Sequence, residues 1–137
     1  MFAALSLDDV LHDMPEEYRE RFQELARTRT DLPSDLTTQL RAYLTTVRHV
    51  AQMVALIDLE EAERLASAAL ALVDSLQSQT SPLAETVVRA AVLYFILEED
   101  DEEITGVLGF DDDIQVMNAV SRALGRHDLV IPLQPKL

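Results

Sequence analysis

The distribution of helix breakers constrains the fold of this chain more than any other feature. All 3 glycines lie in the last third of the 137 residues, at Gly106, Gly109 and Gly125. Before the first glycine, the only prolines are Pro15, Pro33 and Pro82. Strand-like alternation is absent, whereas apolar residues recur every three or four positions. The sequence therefore predicts an all-α fold, a single-domain bundle of about five helices over 1–137.

Short polar signals predict where the helices begin. Asp13 and Glu16 have the spacing of a capping box, and Ser34 is expected to be the N-cap of a long second helix. Ser81 before Pro82 places a capping hydroxyl and a proline at a helix start. These boundaries divide the domain into N-terminal helices over 1–79, a helix–acidic turn–helix unit over 81–125, and an extended tail over 126–137.

The end of the chain carries equally local signals. Asp111, Asp112 and Asp113 are expected to open the last helix, because carboxylates complement the positive end of a helix dipole. Gly125 is expected to end that helix at C′. Pro132 and Pro135 favour an extended tail after it.

The second helix carries a heptad seam. Its apolar residues alternate at spacings of four and three, which is typical of a helix that packs along a partner helix. The seam consists of Leu36, Leu40, Tyr43, Val47, Val50, Val54 and Ile57. Together with the apolar segment from Pro82 to Leu97, the seam exceeds the apolar surface that one small domain covers comfortably. We therefore expect these residues to form an interaction surface through which the protein self-associates, most simply as a homodimer.

The segment from Pro82 to Leu97 is apolar nearly all round, and its only charges are Glu85 and Arg89. Such a helix either crosses a membrane or lies at the centre of a bundle. About 16 residues rise about 24 Å, which is shorter than a bilayer core. Six acidic residues follow directly. We expect the central helix of a bundle and no membrane partner.

Negative charge is concentrated in one stretch. The net charge is −14, and residues 98–113 contribute nine acids and no base. Such a field repels phosphates, so we expect no nucleic-acid partner and consider a basic protein partner instead. The basic residues Arg19, Arg21, Arg27 and Arg29 could neutralise this stretch by docking onto it. The alternative is that they lie on a solvated helix face.

Few residues suggest catalysis. The chain has 0 Cys and isolated histidines, and it lacks a nucleophile elbow and a glycine-rich phosphate loop. We therefore expect no catalytic residues and no enzyme. The apolar fraction of 48% is enough for a packed core. The first ten residues lack the features of a signal peptide, which favours a cytoplasmic location.

The acidic stretch contains a degraded calcium-loop pattern. From Asp101 onward, oxygen-bearing side chains occupy positions that ligate calcium in helix–loop–helix sites, with Gly106 at the turn. The candidate ligands of calcium or magnesium are Asp101, Glu103, Thr105 and Asp112. The alternative is a solvated acidic loop whose last three aspartates cap a helix. We expect no cofactor.

The same region resembles the YkvA-like family, a bacterial domain of unknown function. Tyr94-Phe95-Ile96-Leu97, an acidic turn, and Leu108-Gly109-Phe110-Asp111-Asp112-Asp113 match that family's apolar helix, turn and L-G-[YF]-x-D-D motif. The resemblance spans about Ala90 to Val120, and the prolines of the family turn are replaced by acids. No activity is established for the family, so the resemblance implies no catalytic residues.

These features favour a non-enzymatic protein–protein interaction module that self-associates. One alternative is a divalent-cation-binding module that uses the acidic loop 98–113. Another is an acidic antitoxin or immunity-like protein that blocks a basic partner through the same loop.

Overall fold

A computed structural model describes residues 6–53, 59–76, 81–97 and 110–132 of the chain. These residues form six α-helices and one 3₁₀ turn, and no β-strand occurs in the described ranges, so the predicted all-α fold is confirmed. The helices are α1 (Leu7–His12), α2 (Glu16–Thr28), α3 (Pro33–Ala51), α4 (Leu59–Ser75), α5 (Pro82–Ile96) and α6 (Asp111–Ala123); the 3₁₀ turn is His127–Leu129.

The start of α5 was predicted correctly, whereas two other predicted caps were wrong. The Ser81 hydroxyl accepts the backbone N–H of Ala84 at 3.2 Å and caps α5. Asp13 instead ends α1 in a helical conformation, because Pro15 disfavours a helical residue before it and α2 therefore begins at Glu16. Ser34 lies inside α3, because Pro33 takes the first helical position.

Helix α5 is the central element of the bundle. It contacts α2, α3, α4 and α6. Ten of its 15 residues are buried, and Leu93 is fully buried while Ile96 is 8% exposed. Burial on nearly all sides explains why the sequence of α5 is apolar all round. The prediction of a central helix is confirmed, and none of the described helices is long and apolar enough to cross a membrane.

Three aromatic side chains in the core connect α3, α5 and the start of α6. The ring of Phe95 on α5 meets Tyr43 of α3 at a centroid distance of 5.0 Å and Phe110 at 5.9 Å, both edge to face. Phe110 directly precedes α6. Edge-to-face contacts of this kind add to the gain from burial alone. Residues from the N-terminal helices and from α5 and α6 thus share one hydrophobic core.

Helix α6 ends in a Schellman motif. Gly125 has a φ of +74°, and its N–H bonds to the carbonyl of Arg122 at 3.0 Å. The N–H of Arg126 bonds to the carbonyl of Ser121 at 2.8 Å. These bonds satisfy carbonyls that the helix end leaves open. The prediction that Gly125 ends the last helix at C′ is therefore confirmed.

The tail is less extended than predicted, because residues His127–Leu129 form the 3₁₀ turn. The Arg126 guanidinium pairs with Asp128 at 3.1 Å, which favours this turn. Ile131 beyond the turn is buried. Residues 133–137 of the predicted tail lie outside the described ranges.

Candidate functional site

The heptad seam of α3 faces the interior of its own chain. Leu36, Leu40 and Val47 are fully buried, and α3 packs on α4 and α5. Tyr43 and Val50 are half-buried against the same core. Val54 and Ile57 lie outside the described ranges. The described seam residues therefore pack mostly against their own chain, with Tyr43 and Val50 partly exposed, and the predicted self-association through the seam stays a prediction.

Of the four candidate cation ligands in the acidic loop, one belongs to the described part of the chain. Asp101, Glu103 and Thr105 lie outside the described ranges, whereas Asp112 is the second residue of α6. The Tyr94 hydroxyl donates to Asp112 Oδ2 at 3.4 Å. Among the residues that the structure describes, no group of three metal-ligating side chains converges.

Two tyrosines meet the acidic stretch where α2, α5 and α6 converge. The rings of Tyr18 and Tyr94 lie 6.3 Å apart, edge to face. Burial is the largest cause that raises the pKa of Tyr18 to about 12, and the nearby charges of Glu17, Asp112 and Asp111 contribute to the same shift. Burial likewise raises the pKa of Tyr94 above its ordinary value. Both phenols therefore stay protonated at neutral pH and act as hydrogen-bond donors.

Arg21, one of the four arginines of the predicted basic cluster, contacts Tyr94 where α2, α5 and α6 converge. The Arg21 guanidinium lies 5.1 Å from the centre of the Tyr94 ring, a cation–π geometry. Two of the other arginines are engaged elsewhere: Arg19 donates to the carbonyls of Met14 and His12, and Arg29 pairs with Asp31 at 2.8 Å. Within the described ranges, Arg19 and Arg29 are therefore held by contacts away from the acidic stretch, whereas Arg21 lies beside it.

A buried carboxylate connects α4 to the start of α6. Glu61 is 9% exposed, and its Oε1 accepts the backbone N–H of Phe110 at 3.2 Å. The contact satisfies a donor at the helix start that would otherwise be buried without a partner. Sequence reasoning missed it, because the two residues are 49 positions apart and no local pattern links them.

An open groove of about 750 Å³ lies between α4 and the segment 128–132. Leu59 and Ala68 of α4 and Leu129 and Pro132 of that segment contribute apolar surface to it. Charged residues of α4 also line the groove, among them Glu60, which pairs with Arg64. The other two acids of the groove, Glu63 and Asp128, pair with Arg48 and Arg126, so each acid in its described lining has an ion-pair partner.

One side of α2 is mostly acidic, with the exposed Arg27 near its end, and one side of α3 carries only basic charges. Glu16, Glu20 and Glu24 are exposed and lie one helical turn apart on α2; these three residues are called the α2 stripe below. The exposed residues Thr38, Arg41, Thr45 and Arg48 follow one side of α3 and are called the α3 face. No acidic residue occurs between Asp35 and Asp58. The α3 face itself therefore carries two positive charges and no negative one, and its nearest acid is Glu63 of α4, 3.4 Å from Arg48.

Of the residues that carry the YkvA-like resemblance, Tyr94 contacts Asp112 and Phe95 contacts Phe110, whereas the acidic turn, Leu108 and Gly109 lie outside the described ranges. No protein-family model, curated protein or solved structure matches the chain. The family resemblance stays a prediction.

Proposed function

We propose that this protein is a non-enzymatic protein–protein interaction module that self-associates. The observation that carries the proposal is the segregation of charge between the α2 stripe and the α3 face. Glu16, Glu20 and Glu24 form no ion pair within the described part of the chain. Like charges at i,i+4 destabilise a helix, so a cationic partner that binds the α2 stripe would reduce the repulsion among its glutamates.

Complementary faces matter because two copies of this protein repel each other on average. Each chain carries a net charge of −14. At physiological ionic strength this repulsion is screened beyond about 8 Å, whereas close ion pairs at an interface still attract. Local complementarity can therefore overcome the net repulsion, and it also fixes the orientation of the partners.

The interface is expected to be polar and reversible. In the described ranges, the only large hydrophobic residues that are strongly exposed are Leu32 at 60% and Met53 at 69%. Obligate dimers bury interfaces that resemble a domain core cut in half, and two separate side chains do not form such a surface. The proposal therefore predicts a concentration-dependent equilibrium. It places the module in the cytoplasm, where a protein with 0 Cys functions without disulfides.

Light scattering coupled to size-exclusion chromatography tests this proposal, at protein concentrations from about 1 to 100 μM. We expect the mass to rise with concentration above that of a single chain of 15.3 kDa. A mass that stays at 15.3 kDa across the whole range would refute self-association. A pull-down from the native host then distinguishes a separate basic partner from a protein without any partner.

A further inference from the structure

Building on the proposed function, we infer that the α3 face binds the α2 stripe of a second copy of this chain. The inference rests on the spacing, the charge and the side-chain size of the two surfaces. A second copy is the occupant that the chain itself supplies, because each copy carries both complementary surfaces.

The spacing of the charges matches. Glu16 and Glu24 are eight residues apart on α2, which separates them by about 12 Å along the helix axis. Arg41 and Arg48 are seven residues apart on α3, or about 10.5 Å, and they project from nearly the same side of the helix. Two arginines can therefore meet the two ends of the α2 stripe at once, with Glu20 between them.

The charges of the α3 face are accessible. Arg41 is exposed and forms no ion pair within the described ranges. Arg48 is 52% exposed and approaches Glu63 of α4 at 3.4 Å, where Glu63 is itself 45% exposed. An exposed pair of this kind contributes little to stability, so Arg48 can exchange Glu63 for a carboxylate of a partner at small cost. Guanidinium groups bind carboxylates in a bidentate geometry that suits such an interface.

The two threonines of the α3 face have short side chains, and their hydroxyls already have hydrogen-bond partners. The hydroxyl of Thr38 donates to the carbonyl of Ser34 at 3.2 Å, and that of Thr45 donates to the carbonyl of Arg41 at 3.0 Å. These donors lose nothing when a partner covers them, because their hydrogen bonds lie within the helix. The residues also leave room for a helix from the second copy to approach closely.

Charge reversal tests the inference. We expect the double variant Arg41→Glu, Arg48→Glu to weaken self-association at least tenfold at about 0.15 M salt. The triple variant Glu16→Lys, Glu20→Lys, Glu24→Lys should weaken it as well. Mixing the two variants should restore association, because the acidic α3 face of one then meets the basic α2 stripe of the other. The matched control Arg64→Glu, Arg122→Glu makes the same change in net charge on α4 and α6 and should associate like the natural chain.

The outcomes separate this inference from the proposed function. If the natural chain associates and the double variant associates equally well, the interface lies elsewhere, and only the inference is overturned. If the natural chain is a monomer at every concentration, the proposed function fails and the inference fails with it. Failure of the mixed variants to associate would also overturn the inference. Circular dichroism and thermal melting of each variant establish that it is folded.

Discussion

The side-chain amide of Asn118 forms two buried hydrogen bonds with the backbone of Ile131. The side-chain amide of Asn118 donates to the carbonyl of Ile131 at 2.8 Å, and its oxygen accepts the N–H of Ile131 at 2.8 Å. Asn118 is 4% exposed and Ile131 is 7% exposed. The pair fixes the segment after the 3₁₀ turn against α6, and it satisfies both polar groups of a buried backbone residue.

Asn118→Ala should therefore destabilise the protein by about 2 to 4 kcal/mol, because it leaves a backbone donor and acceptor buried without partners. Urea unfolding followed by circular dichroism measures the change. Gln115→Ala, at a half-buried position of the same helix, is the control and should change stability by less than about 0.5 kcal/mol. An equally small effect at Asn118 would mean that the tail is not fixed by this pair.

Leu93→Ala should cost about 2 to 5 kcal/mol, the range for truncating a large buried side chain. Leu93 lies at 0% exposure in the central helix. Leu32→Ala is the matched control, because Leu32 is 60% exposed and loses little burial on truncation. If the free energies of unfolding of the two variants differ by less than about 0.5 kcal/mol, α5 is not the centre of the core.

The sequence predicted the elements whose signals are local. Ser81 with Pro82 and Gly125 each act within a few residues of a helix end, so their roles could be inferred directly. Asp13 and Ser34 were misassigned, because each lies within two residues of a proline, and the observed N-cap differs from the predicted one by two residues in both helices. The contacts Glu61–Phe110 and Asn118–Ile131 join distant positions and have no local pattern. The α3 seam was recognised, but periodicity does not say which helix covers an apolar face.

Asp31 should make stability depend on pH in the acid range. Its carboxylate accepts two hydrogen bonds from Arg29 at 2.8 Å and one from Gln39 at 2.9 Å. The contact with Arg29 holds the pKa of Asp31 well below its usual range, against the opposing effect of burial, and Gln39 lowers it further. A depressed native pKa stabilises the fold above the unfolded pKa of about 3.9, and this stabilisation is lost as the pH falls below it.

Asp31→Asn should thus lower stability by about 1 kcal/mol at pH 7, a modest value because Arg29 is 36% exposed. The difference from the natural chain should shrink below about pH 4. Urea titrations at several pH values measure it. Asp74→Asn, an exposed position on α4, removes the same charge as a control. A difference that stays constant down to about pH 3 would contradict the role of the charged carboxylate.

Calcium should stabilise the protein no more than sodium does at equal ionic strength. Simple screening relieves repulsion within residues 98–113 in proportion to ionic strength, whereas a specific site would respond to calcium alone. Thermal melting in calcium chloride and in sodium chloride compares the two. A shift in melting temperature that occurs only with calcium, and that Asp101→Asn and Asp112→Asn both abolish, would instead establish a cation-binding module.

The salt dependence of the molecular mass tests the central claim most directly. Sedimentation equilibrium of the natural chain at about 0.15 M and about 1 M sodium chloride compares a Debye length of about 8 Å with one of about 3 Å. The account predicts an assembly of two or more 15.3 kDa chains at the lower salt concentration that dissociates at the higher one. A mass of 15.3 kDa at both concentrations, or an assembly that persists unchanged at about 1 M, would contradict association through complementary charged faces.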